Sequence, residues 1–294
     1  MSFIALLISY FLQQKLELSL SGWFDRSTLK FLRPHHFSMM VNSRGTVSAL
    51  ILLILAAFFS VFYVLFFFLE SLFWGVVALL LEVVLLLLLL GEKGFKERLG
   101  LYLEAWNRGD FEAAAFKQQT LSGVNASRLS DPVMMQNEVS SALLYHYFNR
   151  FFVIIFWFMA VGPAAAIVVR ITDLISQNAT RQLKRSATKV NAFIEWLPVR
   201  LLALSFALTG DFKGAMSCCF RYFSDFSAGA ATVLTDTASG ALDSYNLNYR
   251  VDSGMTREIL ISTGNKGVAG IRGLLSRSMG LWLGVFAIIA ILGW

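Results

Sequence analysis

The chain has 294 residues, of which 56% are hydrophobic and 15% charged, and its mean hydropathy is +0.63. A soluble domain carries about 25% charged residues, so these figures exclude a single water-soluble globule and indicate an integral membrane protein with polar regions attached. The net charge of +6 comes from scattered bases, with Arg181, Lys184, Arg185 and Lys189 the one tight group, a pattern of membrane-helix flanks and not of a nucleic-acid surface.

Residues 1–45 read as an N-terminal interfacial and cytoplasmic segment. Phe3, Leu6, Leu7, Tyr10 and Phe11 recur at helical spacing before Gln13, Gln14, Lys15 and Glu17, which fits either a helix in the headgroup zone or a buried helix of the bundle. No basic region precedes this run and no small-residue cleavage site follows it, so it is expected to be retained. From Ser19 to Arg44, Trp23, Phe24, Phe31 and Phe37 alternate with Asp25, Arg26, Lys30, Arg33 and Arg44, a mixture suited to headgroups. The excess of bases over acids here places the segment on the cytoplasmic side.

Residues 46–90 carry the strongest signal, a transmembrane helical hairpin. Val47–Leu69 has only Ser48 and Ser60 as polar exceptions, and Leu72–Leu90 has one ionisable residue, Glu82, with a polar break at Glu70 and Ser71. Neither arm keeps the polar face of a soluble core helix, and each has about the 20 residues needed to cross about 30 Å of hydrocarbon. Residues 91–149 read as a soluble helical region. Leu99, Leu101, Leu103 and Trp106 belong to one helix and Phe111, Ala114 and Ala115 to the next, with a break at Arg108-Gly109 and Asp110 as cap. A turn through Gly123, Asn125 and Asp131-Pro132 leads to a helix over Met134–Phe148.

Residues 150–210 hold a third transmembrane helix, Phe151–Val169, bracketed by Arg150 and Arg170 and interrupted by Gly162-Pro163. After the polar stretch Ile171–Glu195 comes a short membrane-embedded helix, Trp196–Leu208, too short for a full crossing. Arg108-Gly109-Asp110-Phe111 is echoed by Thr209-Gly210-Asp211-Phe212; in each, glycine ends one helix and aspartate caps the next. Residues 211–278 are a helical and loop region. Ala228, Ala231, Thr235 and Ala238 suit close packing, whereas Tyr245–Ser278, with Gly254, Gly264, Gly267, Gly270 and Gly273, reads as loop with a short helix near Thr256–Ile261. Residues 279–294 form a C-terminal apolar helix, in which Gly280 and Gly284 offer a seat for a partner helix and hence a route to a homo-oligomer. Embedding Leu201 and its neighbours, with Asp211–Ser278 cytoplasmic, violates the positive-inside rule least. The expected fold is therefore all-α, a polytopic integral membrane protein with cytoplasmic helical regions.

Five residues are candidate contacts for an anionic ligand: Glu82, Arg150, Arg170, Glu195 and Arg200. Glu82 lies mid-hairpin, where a carboxylate is costly unless paired or hydrated, and it serves either as a pocket or coupling group or as a structural contact with Arg200 or a helix neighbour. Arg150 and Arg170 adjoin apolar runs and can reach the headgroups. Arg200 sits inside an apolar stretch two residues after Pro198, where its planar fork can hold a carboxylate or phosphate. Glu195 and Asp211 bracket that helix, Asp211 as a cap.

Conventional catalytic patterns are missing from the sequence. Asp225, Asp236 and Asp243 follow no metal motif, and Cys218 and Cys219 are adjacent and lack the spacing of a metal knuckle. His35, His36 and His146 supply neither a zinc pattern nor a hydrolytic triad. Ser262-Thr263-Gly264-Asn265-Lys266-Gly267 lacks the spacing and the hydroxyl of a P-loop. No catalytic residue, metal or cofactor is assigned.

Glu195-Trp196-Leu197-Pro198-Val199-Arg200-Leu201, followed by Ala203-Leu204 and Ala207-Leu208-Thr209-Gly210, resembles the Trp-Val/Ile-Pro-x-Arg-Leu signature of the AmpE-like family and of the related cobalamin-biosynthesis CobD/CbiB membrane proteins. Ala142-Leu143-Leu144, Phe151, Phe156-Trp157, Gly162-Pro163 and Arg170 resemble the helix that precedes it in that superfamily. With the early hairpin and the apolar tail, the resemblance covers nearly the whole chain. It departs from the synthases where they carry polar groups. Asn149 or Arg150 stands near their acidic residue, Ser224-Asp225-Phe226-Ser227-Ala228-Gly229 lacks the proline and asparagine of Ser-Pro-Asn-Ala-Gly, and Thr235 falls near a glutamate. The resemblance thus implies an inner-membrane signalling or regulatory protein linked to cell-wall status, peptidoglycan recycling and β-lactamase induction in the antibiotic response. The alternatives are a membrane-embedded amide-forming synthase related to cobalamin biosynthesis, or a small-molecule carrier with Glu82 as coupling group. Membrane lipids and a cell-wall-derived or amphiphilic anionic ligand are the implied partners.

Overall fold

The computed structural model describes residues 2–16, 25, 28, 44–70, 76–90, 93–122, 131–178, 181–225, 227–242 and 256–292. The aromatic and basic residues Trp23, Arg33 and Phe37, the break at Ser71, the turn at Gly123 and Asn125, and Asp243 lie outside the described residues. Among the described residues every regular element is helical. In chain order these are α1 (Ser2–Leu16), α2 (Arg44–Glu70), α3 (Val76–Leu89), α4 (Lys93–Asn107), α5 (Phe111–Ser122) and α6 (Pro132–Tyr147). A π-helical turn (Phe148–Val153) leads into α7 (Ile154–Val161), and α8 (Pro163–Asn178), α9 (Arg181–Thr209), α10 (Phe212–Phe223), α11 (Ala230–Ala241) and α12 (Arg257–Ile291) complete the order. Among the described residues, three helical stretches are long and apolar enough to cross a membrane by length and composition: Pro132–Val161, Lys184–Thr209 and Arg257–Ile291. The protein is an all-α, multi-pass membrane protein.

The chain divides into two compact units, one of residues 1–92, 149–198 and 285–294, the other of residues 93–148 and 199–284. In the first unit α1 packs on α3 and α7, and α8 packs on α2, α3 and α7. Ala5, Leu6 and Ser9 are fully buried, and Ala5 joins Val83 and Leu87 in one apolar cluster. The Ser9 hydroxyl donates to the Ala5 carbonyl at 2.6 Å and to the Val83 carbonyl at 3.3 Å. The N-terminal run is thus a helix with one side packed on α3, while Ile4, Ile8 and Phe11 on it stay exposed. Helix α2, with 27 residues, reaches about 40 Å at 1.5 Å per residue, longer than the about 30 Å of a hydrocarbon core.

The apolar run Phe151–Val169 does not form one helix. Gly162 adopts φ 110°, a value that L side chains rarely reach, and Pro163 opens a new helix there. Residues up to Val161 complete the helix that began at Pro132, where the Asp131 carboxylate accepts from the Val133 amide at 3.0 Å. The helix carrying the Trp-Leu-Pro-Val-Arg signature is also longer than its apolar stretch. It starts at Arg181, because the polar residues before Glu195 continue the same helical register.

Pro198 lies inside α9 and has no amide hydrogen for the carbonyl of Ile194, four residues earlier. The indole Nε1 of Trp157 donates to that carbonyl at 3.2 Å. Trp157→Phe should therefore cost about 1–3 kcal/mol, the penalty of an unsatisfied buried carbonyl. In a Pro198→Ala background the restored amide takes over the bond and the same substitution should cost much less. A double-mutant cycle on thermal midpoints in detergent checks this, and equal costs in the two backgrounds would refute the pairing.

In the second unit α4 and α5 form a hairpin closed at Gly109, with φ 68°, and Asp110 Oδ1 accepts from the Ala113 amide at 3.0 Å. Asp211 Oδ1 accepts from the Lys213 amide at 3.1 Å, so both Gly-Asp-Phe repeats cap a helix. Of the glycine-rich stretch read as loop, residues 257–278 belong to α12, a continuous 35-residue helix, and Gly254 lies outside the described residues. Gly264 serves a close approach: a Cβ on it would lie 2.7 Å from the indole of the fully buried Trp106. Trp106 Nε1 donates to the Ile261 carbonyl at 3.4 Å, and Gln136 bridges the Tyr102 hydroxyl at 2.9 Å and the Gly264 carbonyl at 2.9 Å.

Candidate functional site

The first unit buries a set of charges that only partly follows from the sequence. Helix α8 buries Arg170, Thr172 and Asp173 among apolar residues, and spacing of three and four residues puts Arg170, Asp173 and the exposed Gln177 on one side. The π-helical turn before α7 winds one residue wider than an α-turn. It places two successive residues, Asn149 and Arg150, in the interior, each 6% exposed.

Asp25 joins these elements. Its Oδ2 accepts from Arg150 Nη2 at 2.8 Å and from Arg170 Nη2 at 2.6 Å, and its Oδ1 accepts from Arg170 Nε at 3.1 Å. Arg170 thus grips the carboxylate with two parallel bonds, the geometry for which guanidinium is suited. Its Nη1 donates to Asp173 Oδ2, while Asp173 Oδ1 accepts from Asn149 Nδ2 at 2.9 Å and Gln177 Nε2 at 2.7 Å. The Arg170 and Asp173 side chains are each 3% exposed and Asp25 is 16% exposed. Two guanidinium groups and two carboxylates balance in charge, which is the condition for burying them at all.

The other candidates have separate partners. Glu82 is buried on α3 and its Oε1 accepts from the Ser2 hydroxyl of α1 at 3.1 Å. Glu195 is buried on α9 and accepts from Asn191 Nδ2, one turn earlier, at 2.6 Å. Arg200 spends its fork on the end of α10, donating from Nε to the Phe223 carbonyl at 3.2 Å and from Nη2 to the carbonyls of Tyr222 at 3.0 Å and Asp225 at 2.6 Å. Carbonyls in the last turn of a helix lack intrahelical donors and sit at the negative end of its dipole, so a buried cation completes them. The arginine of the signature thus caps the end of a helix through its Nε and Nη2.

Around that cap, the Ser227 hydroxyl and amide both donate to Asp225 Oδ1, at 2.6 Å and 2.8 Å, and hold its carboxyl below the usual range. Tyr222 donates its hydroxyl to Asp236, which keeps the phenol protonated above its ordinary range. Among the described residues no three His, Cys, Asp or Glu side chains converge as metal ligands.

Of the five expected contacts, Arg150 and Arg170 come together on one carboxylate. The residues missed are Asp25, Asn149, Asp173 and Gln177. Asp173 and Gln177 were detectable, because polar residues three and seven positions after Arg170 share its face. Asp25 had no such signal, lying 125 residues from Arg150 and 145 from Arg170.

No curated protein and no solved structure matches the chain. The family model described as regulatory signalling modulator protein AmpE matches residues 23–266, a span that includes Asp25, Glu82, Arg150, Arg170, Asp173, Glu195 and Arg200. With that match over most of its length and three helical stretches fit to cross a membrane, the chain belongs to the AmpE family of regulatory signalling modulators, as a multi-pass protein of the inner membrane.

Proposed function

We propose that the protein couples cell-wall status to β-lactamase induction through the Arg150–Arg170 pair, which acts as an anion receptor held closed by Asp25. The observation that supports this reading is the convergence of two buried guanidinium groups on one carboxylate from a distant segment. A cell-wall-derived or amphiphilic ligand bearing a carboxylate has the same donor requirements as Asp25 and would compete for the same fork. Its binding would free the segment around Asp25 while keeping the arginines paired, a local charge exchange with a larger readout. Membrane lipid surrounds the receptor and an amphiphile reaches it from the bilayer.

The test is complementation of a deletion strain, with β-lactamase activity measured before and after a sub-inhibitory β-lactam and protein level checked by immunoblot. Asp25→Asn weakens the internal carboxylate and should raise activity before induction toward the induced level. Arg170→Lys keeps the charge but loses the two-point grip, and should blunt the induced rise. Induction that is the same in the deletion strain, the wild type and both variants overturns the proposal.

A further inference from the structure

Helix α10 carries three distinct faces in only 12 residues. One face meets α11: Gly214 and Gly240 abut, Ala215 is fully buried, and Tyr222 donates to Asp236. A second face is apolar, with Phe212, Met216, Phe220 and Phe223 spaced by four, four and three residues. Its phenylalanines are 53%, 73% and 67% exposed, which no water-facing helix of a stable domain requires. The third face repeats the same spacing one residue later with Lys213, Ser217, Arg221 and Ser224, all exposed.

The position of the helix says what covers the aromatic face. α9 presents Leu197, Leu201, Leu204 and Leu208, each at least 37% exposed, as a stripe along a helix fit to cross the bilayer. That stripe ends four residues before Phe212, and Gly210 with the Asp211 cap turns the chain between them. A chain leaving hydrocarbon at Thr209 enters the headgroup layer next. There an aromatic face is buried in acyl chains while the adjoining bases meet lipid phosphates.

We infer that α10 lies in the plane of the membrane, its Phe212, Met216, Phe220 and Phe223 edge seated at the boundary of headgroups and acyl chains and its Lys213 and Arg221 edge on anionic headgroups. This placement rests on α9 as a membrane span and is independent of the anion-receptor reading. It gives the protein a lipid-sensing surface in the second unit, responsive to the anionic content of the leaflet.

The test uses the full chain in nanodiscs. Cys218 and Cys219 are the chain's two cysteines and are free, so Cys218→Ser with Cys219→Ser gives a background for single spin labels at Phe220→Cys or Ser217→Cys. In discs of POPC and POPG at three to one, the label at 220 should collide preferentially with oxygen, at a depth of about 5–10 Å below the headgroups, and the label at 217 with a water-soluble nickel chelate. In POPC alone, or with Lys213→Gln and Arg221→Gln together, the label at 220 should move toward water. As a check free of variants, a diazirine reagent dissolved in the lipid should modify wild-type Phe220 and Phe223 more than Ser217 and Arg221. Equal profiles at 217 and 220, whether both in water or both in hydrocarbon, overturn the in-plane placement. A position of the label at 220 that ignores POPG and the paired glutamine substitutions overturns the role of the bases.

Discussion

Arg170→Met should lower the stability of the protein by about 3–5 kcal/mol, because it leaves Asp173 buried with no cation and the half-buried Asp25 with Arg150 alone. Asn149 and Gln177 remain as donors to Asp173, but neutral amides replace only part of a guanidinium's contribution. The penalty is that of a broken pair and is not the net worth of the intact network. Desolvating four charges costs nearly what their attraction returns, so replacing all of them at once is a different experiment. Asp25→Leu, Arg150→Met, Arg170→Met and Asp173→Leu combined should recover most of the stability lost by Arg170→Met alone. Unfolding measured by steric trapping in bicelles separates the two outcomes. If the single variant were as stable as the wild type, the network would be a surface-like pairing, worth at most about 1 kcal/mol, in spite of its burial. If the fourfold variant were less stable than the single one, the charges would be contributing beyond mutual neutralisation. The fourfold variant also separates stability from signalling, since it keeps a packed interior and removes the proposed anion receptor.

The fold class was legible because lipid imposes one requirement on sequence: long runs without a polar face. That requirement is silent about where helices end. Phe151–Val169 looked like one crossing, yet Gly162 and Pro163 break it, and the helix long and apolar enough to cross runs from Pro132 to Val161. The glycines of 264–273 counted as loop on propensity, since glycine costs a helix interior up to about 1 kcal/mol relative to alanine. At Gly264, contact with Trp106 accounts for the glycine, and such contact is invisible along one helix. The ion-pair network divides in the same way. Arg170, Asp173 and Gln177 are readable from spacing, whereas Asp25 and the inward turn of Asn149 with Arg150 depend on a π-helical turn that no composition announces. Arg200 was singled out for its burial in an apolar stretch; its partners are backbone carbonyls, and backbone has no letter in the sequence.

Gly214→Ala should destabilise the α10–α11 hairpin by about 1–3 kcal/mol, although alanine is the better helix former. The competing effects can be ranked. Exchange of glycine for alanine inside a helix gains at most about 1 kcal/mol from backbone entropy. Against this, the new methyl group at 214 would overlap the carbonyl of Gly240, and one placed at 240 would stand 2.6 Å from the carbonyl of Gly214. Both obstacles are backbone, so no rotamer change relieves them and the helices must part. Parting them strains the Asp211 amide bond to the Ala241 carbonyl, now 2.9 Å, and the Tyr222–Asp236 pair at the other end of the contact. Gly210 lies under the same restraint, with Ala241 carbonyl oxygen 2.7 Å from its would-be Cβ. Because Gly214 and Gly240 meet each other, Gly240→Ala should cost a similar amount and the double variant less than the sum, once the first methyl group has separated the helices. Thermal midpoints of the two single variants and the double variant in one detergent give the coupling. Strict additivity would mean that the two glycines act independently, and a stabilised Gly214→Ala would mean that helix propensity outweighs contact at this crossing.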